Sequence, residues 1–253
     1  MAEQDFLKLH LRDLPYFRAL VRAVEATYYQ DLELTRPILD VGCGDGHFAS
    51  LTFKENLDVG IDPWHGPIHE AGRRGSYNLL VEGDAGQSPF DEGTFGSAIS
   101  NSVLEHIQHI DDVLKETARV LRKGALFAFC VPNPRYFSVL SLRKLFGKPY
   151  EAWFRRISRV EHADEPETWQ KRLEAAGFQL ERWWHYFSPA SMRMLEWGHY
   201  FGLPSWVVHR LTGKWILVPK DWNLYLTEKL VRPLASTQPV DDGTFTFYLA
   251  RKK

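Results

Sequence analysis

Cysteine is scarce: Cys43 and Cys130 are the only two among 253 residues. That count excludes a disulfide framework, a Cys-rich zinc module and a Cys-ligated iron–sulfur cluster. Net charge is scarce as well, because 31 basic side chains meet 32 acidic ones for a formal charge of −1. A neutral total argues against whole-surface affinity for nucleic acid, and none is expected as a partner. Long apolar runs are missing; the longest, Ala125–Val131, is far too short to cross a bilayer. The opening stretch MAEQDFLKLH lacks the charged-then-apolar pattern of a secretory signal. A cytoplasmic location is the expectation from these absences. What is present is an ordinary globular composition, 44% apolar and 25% charged, long enough to form a core without metal or disulfide. One excess stands out: eight of the nine tryptophans lie after residue 150.

Hydrophobic periodicity organises the chain. In Pro15–Gln30 the residues Phe17, Leu20, Val21, Val24 and Tyr28 recur at helical spacing, with Asp13 as a cap and Pro15 tolerated in the first turn. From there short apolar runs at Pro37–Val41, Leu57–Ile61, Tyr77–Val81, Phe95–Ser100 and Ala125–Val131 read as buried strands. The helical stretches Gly46–Lys54, Gly66–Arg74 and Asp111–Leu121 separate them. This alternation predicts an α/β fold with a parallel sheet and helices on both faces. Pro132-Asn133-Pro134 breaks the pattern, and a basic, aromatic, helical insertion follows over Tyr136–Phe154. Asp164 and Glu167 then cap a helix that Gly177 ends, Phe178–Tyr186 is a sixth strand, and Thr244–Ala250 a final alternating one. The expectation is one domain over residues 1–253 with cap insertions at about 134–160 and 188–240.

The segment Ile38-Leu-Asp-Val-Gly-Cys-Gly-Asp-Gly-His-Phe48 carries the most information. An apolar strand runs into Gly42-x-Gly44-x-Gly46, and a helix starts at once. Glycine permits positive φ and close approach of a ligand, and free N–H groups at a helix start favour a carboxylate or phosphate. Asp62 ends the next strand, twenty residues beyond Gly42, where a carboxylate can accept from both hydroxyls of a ribose. Read alone, Asp62 is equally a turn residue before Pro63. Asp84 follows the third strand and can accept from an adenine amine. Three such features at the carboxyl ends of consecutive strands converge on the crevice where doubly wound sheets bind ligands. A dinucleotide dehydrogenase would carry G-x-G-x-x-G, but His47 occupies the third glycine's place. An amino-acid nucleoside suits this loop better, which leaves an NAD-dependent oxidoreductase as the weaker reading.

At these residues the chain resembles the class I S-adenosylmethionine-dependent methyltransferases, in particular the small-molecule group typified by the quinone-biosynthesis enzymes. The matching stretches are Ile38–Gly46, Gly60-Ile-Asp62, Gly83-Asp-Ala85, Ser102-Val-Leu-Glu-His-Ile107 and Glu116–Gly124, with Ala176-Gly177-Phe178 further on. The resemblance implies a Rossmann-like seven-stranded sheet whose last strand is antiparallel, with S-adenosyl-L-methionine as cofactor. It places the Gly42–Gly46 turn, with Cys43 and Gly44, against the methionine moiety, Asp40 orienting its surroundings, and Asp62 at the ribose. Pro63 or Trp64 then falls beside the adenine, Asp84 and Ala85 at its edge, and Asn101 near the sulfonium. One departure is Gly96, where relatives commonly carry aspartate. Some quinone O-methyltransferases hold a divalent metal through an acid followed by Glu-His; Ser102 stands where that first acid would be, so Glu105 and His106 make a poor hard-cation site and no metal is expected.

Methyl transfer is an in-line displacement at a sulfonium, for which alignment can supply about 7–11 kcal/mol. A hydroxyl or enol nucleophile gains about 10²–10⁴-fold more from a base. His106 and His162 are the catalytic candidates, each equally readable as a hydrogen-bonding rim residue. Between Arg135 and Val160 seven cations face one acid, Glu151, among Phe137, Phe146, Trp153 and Phe154. Such a segment can roof an apolar acceptor or lie on an anionic membrane surface. The second cap adds Trp197, Trp206, Trp215 and Trp222. The expected acceptor is a small lipophilic or aromatic molecule, with a lipid-like partner and membrane-peripheral contact as the extended reading. The rival from another class is a non-catalytic nucleoside-binding or scaffold protein of the same fold.

Overall fold

The computed structural model describes residues 4–253, with Leu203 by its backbone alone; Met1–Glu3, part of the stretch read above for a signal, lie outside the described residues. The strands are β1 (Ile38–Val41), β2 (Leu57–Asp62), β3 (Tyr77–Glu82), β4 (Phe95–Asn101), β5 (Leu121–Pro132), β6 (Phe178–Tyr186) and β7 (Phe245–Lys252). They form one seven-stranded sheet in the order β3-β2-β1-β4-β5-β7-β6. Pairings among β1 to β5 are parallel, and β7 runs antiparallel to both β5 and β6. The chain reverses its direction of travel across the sheet between β1 and β4, the switch point at which such sheets bind ligands.

Both faces of the central strands are covered, which is why β1, β4 and most of β5 read as continuous apolar runs. On one face Ile99, Ala128 and Phe247 pack with α2 (Tyr16–Gln30), α3 (His47–Thr52) and α4 (His65–Arg74). On the other, Ala98, Phe127, Phe129 and Tyr248 pack with α5 (Ile110–Val120) and α8 (Pro166–Ala176). Neighbouring residues of one strand thus serve opposite cores, as the two-residue period requires.

The structure adds a helix before these, α1 (Phe6–Asp13), capped by Asp5, whose side chain accepts from the Lys8 amide at 3.1 Å. Asp13 is therefore not the cap of α2; it ends α1 and meets Nε2 of His47 at 3.3 Å, while Pro15 holds the N-cap position of α2 without a side-chain bond. Asp164 likewise does not cap α8, whose N-cap is Glu165; it pairs with His162 and Arg172, each at 3.6 Å. Gly96 has a steric reason: a Cβ there would lie 2.7 and 2.8 Å from the carbonyl oxygens of Thr35 and Arg36.

The first cap is α6 (Arg135–Ser138) and α7 (Arg143–Ser158), the latter broken at Gly147. The second is α9 (Pro189–Phe201), α10 (Leu203–Thr212) and α11 (Asp221–Val231). A buried carboxylate joins them. Glu196 of α9 accepts from the Ser141 and Leu142 amides at 2.6 and 3.2 Å and from Tyr150 Oη at 2.6 Å. It thereby satisfies amides that open α7.

Candidate active site

Every cofactor-contact residue expected from the sequence lies at the carboxyl edge of β1–β4. Asp40 pairs in register with Gly60 and Ile99, and Asp62 with Glu82. The chain leaves β1 through Gly42, Gly44 and Gly46, at φ 77, 54 and 70°. At Gly42 the requirement is steric as well as conformational, since a Cβ would fall 2.3 Å from a methyl of Val103. At Gly44 a Cβ would meet nothing within 4 Å, so the outer side of the bend is open.

Most of the bend's amides are already engaged, and that of Asp45 is left without an acceptor. Gly42 and Cys43 both donate to the Ile61 carbonyl, at 2.8 and 3.1 Å, and Gly46 donates to Cys43 at 3.1 Å. His47 N donates to Asp45 Oδ1 at 3.1 Å, and Gly44 N to Asp62 Oδ2 at 3.0 Å. The bend folds as successive turns that consume these donors, and α3 beyond it is only six residues long. A ligand carboxylate finds few donors on the bend itself.

Asp62 aims its carboxylate at the bend and is 7% exposed. Its other oxygen accepts from the Trp64 amide at 3.0 Å. A carboxylate offers about four acceptor positions, so two remain for hydroxyl donors. Burial pushes its pKa above the usual aspartate value, against the pull of those two amides. Pro63 and Trp64 follow on the surface, Trp64 at 69% exposure with its indole uncovered. Asp40 lies beneath, accepting from Tyr77 Oη at 2.6 Å, and burial pushes its carboxyl up to about 7. Asp84 folds back on its own turn, accepting from Gly86 N at 2.8 Å, with Ala85 starting that turn.

Asn101, the last residue of β4, belongs to a polar cluster that the sequence reading missed. At its centre is Glu25 of α2, fully buried. Glu25 accepts from Asn101 Nδ2 at 2.8 Å, Ser102 Oγ at 2.9 Å, Tyr186 Oη at 2.9 Å and Arg22 Nη1 at 3.1 Å. The same Arg22 nitrogen donates to the Asn101 carbonyl at 3.1 Å and to Asn101 Oδ1. Ser102 holds φ 50°, a left-handed conformation costly for a residue with a Cβ, and its bond to Glu25 helps fix it there. The available signal was the Arg22–Glu25 spacing of three, which on a helix also describes an ordinary surface pair.

His106 and His162 sit at the seam between the turn after β4 and the end of the first cap. His106 Nδ1 donates to the Arg159 carbonyl at 2.8 Å, and His162 Nε2 donates to the Ile107 carbonyl at 2.9 Å. Between them the Glu105 carbonyl accepts from the Glu161 and His162 amides, at 2.8 and 3.1 Å. The Glu105 side chain is buried, its Oε2 has no hydrogen-bond partner, and burial pushes its pKa up to about 7. Among the described residues no group of three or more His, Cys, Asp or Glu side chains is placed to hold a metal ion.

Residues 39–129 match the model of a methyltransferase domain. A fatty-acid O-methyltransferase of Mycolicibacterium smegmatis is 35% identical over 104 residues, 39% of this chain and 38% of that protein. A malonyl-[acyl-carrier protein] O-methyltransferase of Legionella pneumophila is 28% identical over 111 residues, 42% of this chain and 39% of its own length. The chain thus spans about two fifths of these curated relatives. Among solved structures, an S-adenosylmethionine-dependent methyltransferase of Thermotoga maritima superposes with a TM-score of 0.59 at 15% identity, over 94% of this chain and 91% of that one, a likeness of fold. Residues 39–129 thus carry a methyltransferase domain, and the chain shares the fold of S-adenosylmethionine-dependent methyltransferases.

Proposed function

We propose that the protein transfers a methyl group from S-adenosylmethionine to a small lipophilic acceptor. The observation that carries the reading is the Asp62 carboxylate, held at the open side of Gly44 with two acceptor positions unused. Those positions match the two hydroxyl donors of a ribose. Trp64 offers an uncovered ring beside them, on which an adenine can stack. Arg22 supplies a full counter-charge: one nitrogen is bound to Glu25 and Asn101, and the guanidinium retains further donors for a carboxylate. When bound, the cofactor supplies a methyl on a positively charged sulfur, already activated for displacement.

The chain's own task is therefore alignment and exclusion of water. Asn101 and Ser102 are fixed by Glu25 at the end of β4, so the floor beside them is rigid. His106 is the better placed of the two histidines to take a proton from an acceptor: with Nδ1 protonated toward Arg159, Nε2 carries the lone pair, and the ring is 42% exposed. His162 holds the seam. An acceptor that is already an anion, such as a carboxylate, needs neither. The relative named for fatty acids and the aromatic caps support an apolar acceptor.

Calorimetry with S-adenosylhomocysteine tests the reading. Asp62→Ala is expected to weaken binding by about 10²-fold, the size of two lost hydrogen bonds to a charged group. Because that change also releases the Gly44 and Trp64 amides, Trp64→Ala is the companion; its exposed ring holds no fold contact, and binding should weaken several-fold. Unchanged affinity in both variants, or stabilisation by NADH in place of S-adenosylhomocysteine, rejects the proposal.

A further inference from the structure

The second cap carries an apolar surface that the site does not use. On α11, Trp222, Tyr225, Leu226 and Leu230 fall on one helical face, exposed by 75, 58, 70 and 70%, while Leu224 and Val231 are buried. Before it, α10 buries none of its described side chains, packs chiefly on α9, and exposes Trp206 and Leu211 by 50 and 79%. Scattered exposed apolar residues need no explanation, but a whole helical face does.

Cations are set among these side chains. Arg210, Lys214, Lys220 and Lys229 are exposed, and none is ion-paired among the described residues. The acids nearby are already engaged: Asp221 pairs with Lys8 and Arg12, and Glu228 with Arg232. Arg210 lies 5.7 Å from the Trp206 ring and Lys229 6.0 Å from that of Tyr225, so charge and aromatic body stand side by side. The first cap also exposes Leu145, Phe146 and Trp153 and cations such as Lys144, Lys148 and Arg156, but two of its cations are engaged. There Arg143 is bound to Glu151 at 2.6 Å, and Arg155 lies over Phe137 and donates to the Val160 carbonyl.

We infer that α10 and α11 form a docking face for an anionic lipid surface, with Trp222, Leu226 and Leu230 at headgroup depth and Arg210, Lys214, Lys220 and Lys229 against lipid phosphates. Aromatic rings with cations alongside suit a boundary where apolar tails meet charged heads. A second copy fits worse, because a two-fold contact would set these unpaired cations against their own counterparts. The helices lie on the surface and do not cross it; no helix among the described residues is long and apolar enough to span a membrane.

The test is sedimentation of the full chain with vesicles of phosphatidylcholine, or of phosphatidylcholine with phosphatidylglycerol. Binding is expected to the anionic vesicles and to fall as salt rises. Lys220→Glu with Lys229→Glu should lower it by about tenfold or more, and Trp222→Ser with Leu226→Ser should abolish it. Arg143→Glu, on the first cap, where the cation is already paired with Glu151, should matter less. Thermal stabilisation by S-adenosylhomocysteine, measured on each variant, should not change, so a failed docking face is distinguishable from a lost fold or cofactor site. Equal binding to both vesicle types, no binding, or a wild-type dimer dispersed by Trp222→Ser with Leu226→Ser overturns the inference.

Discussion

The carboxyl edge of β1–β4 and the cap helices α10 and α11 are built on opposite principles. At the edge, side chains are over-determined: Glu25 alone receives four donors from α2, β4, β6 and the turn after β4. In the cap, α10 buries none of its described side chains, and α11 is fixed through one face. On the proposed reading the edge holds a ribose to within fractions of an ångström, which requires locked partners. The cap needs only to present surface. Substitutions should therefore act sharply at the edge and weakly on the outer faces of α10 and α11.

The largest expected effect follows from Glu25. Glu25→Ala leaves Arg22 beside Asn101 with no carboxylate and strands the donors of Ser102 and Tyr186. Removing one partner of a buried ion pair costs about 3–5 kcal/mol. Urea unfolding would measure it, and a loss under about 1 kcal/mol would show that the edge is not tied as described.

A comparable effect, spread over pH, belongs to Asp40. Its folded-state pKa, pushed up to about 7 by burial, exceeds the unfolded value, so the folded protein holds the extra proton between the two. The contribution of Asp40 to stability is complete below about pH 4 and lost as pH rises through 7, a change of up to about 4 kcal/mol. Glu105, also pushed up to about 7, acts in the same direction. Asp40→Asn keeps an acceptor for Tyr77 Oη and removes the titration. Between pH 4 and 8 the stability of this variant should decline less than that of the wild type; parallel curves would refute the assignment.

The sheet was legible because buried strands on both faces leave apolar runs, and the Gly42–Gly46 bend because its φ values admit little else. The helix α1 was missed although Phe6, Leu7, His10 and Leu11 share its buried face; a buried histidine reads as polar and blurs that stripe. Arg22 and Glu25 were missed for a different reason. Nothing local distinguishes a pair at spacing three that faces solvent from one that closes over β4. The bend's amides misled because a glycine-rich turn signals backbone freedom but not where its donors end up. In the caps, tryptophan content announced apolar surface without stating which rings would be covered: Trp169 and Trp222 are alike in sequence, yet one is fully buried and the other 75% exposed.

The smallest expected effect is the one that tests the cap side of the comparison most closely. Leu224 and Leu226 lie two residues apart on α11, 6% and 70% exposed. Helix propensity is the same at both, so Leu→Ala at each site changes only what the side chain touches. Leu224→Ala removes buried contacts and leaves a cavity, at about 2–5 kcal/mol. Leu226→Ala removes a side chain already in water and should shift stability by less than about 0.5 kcal/mol. If the two variants unfold at the same urea concentration, the outer face of α11 is covered in solution, and the contrast between a locked edge and an open cap does not hold.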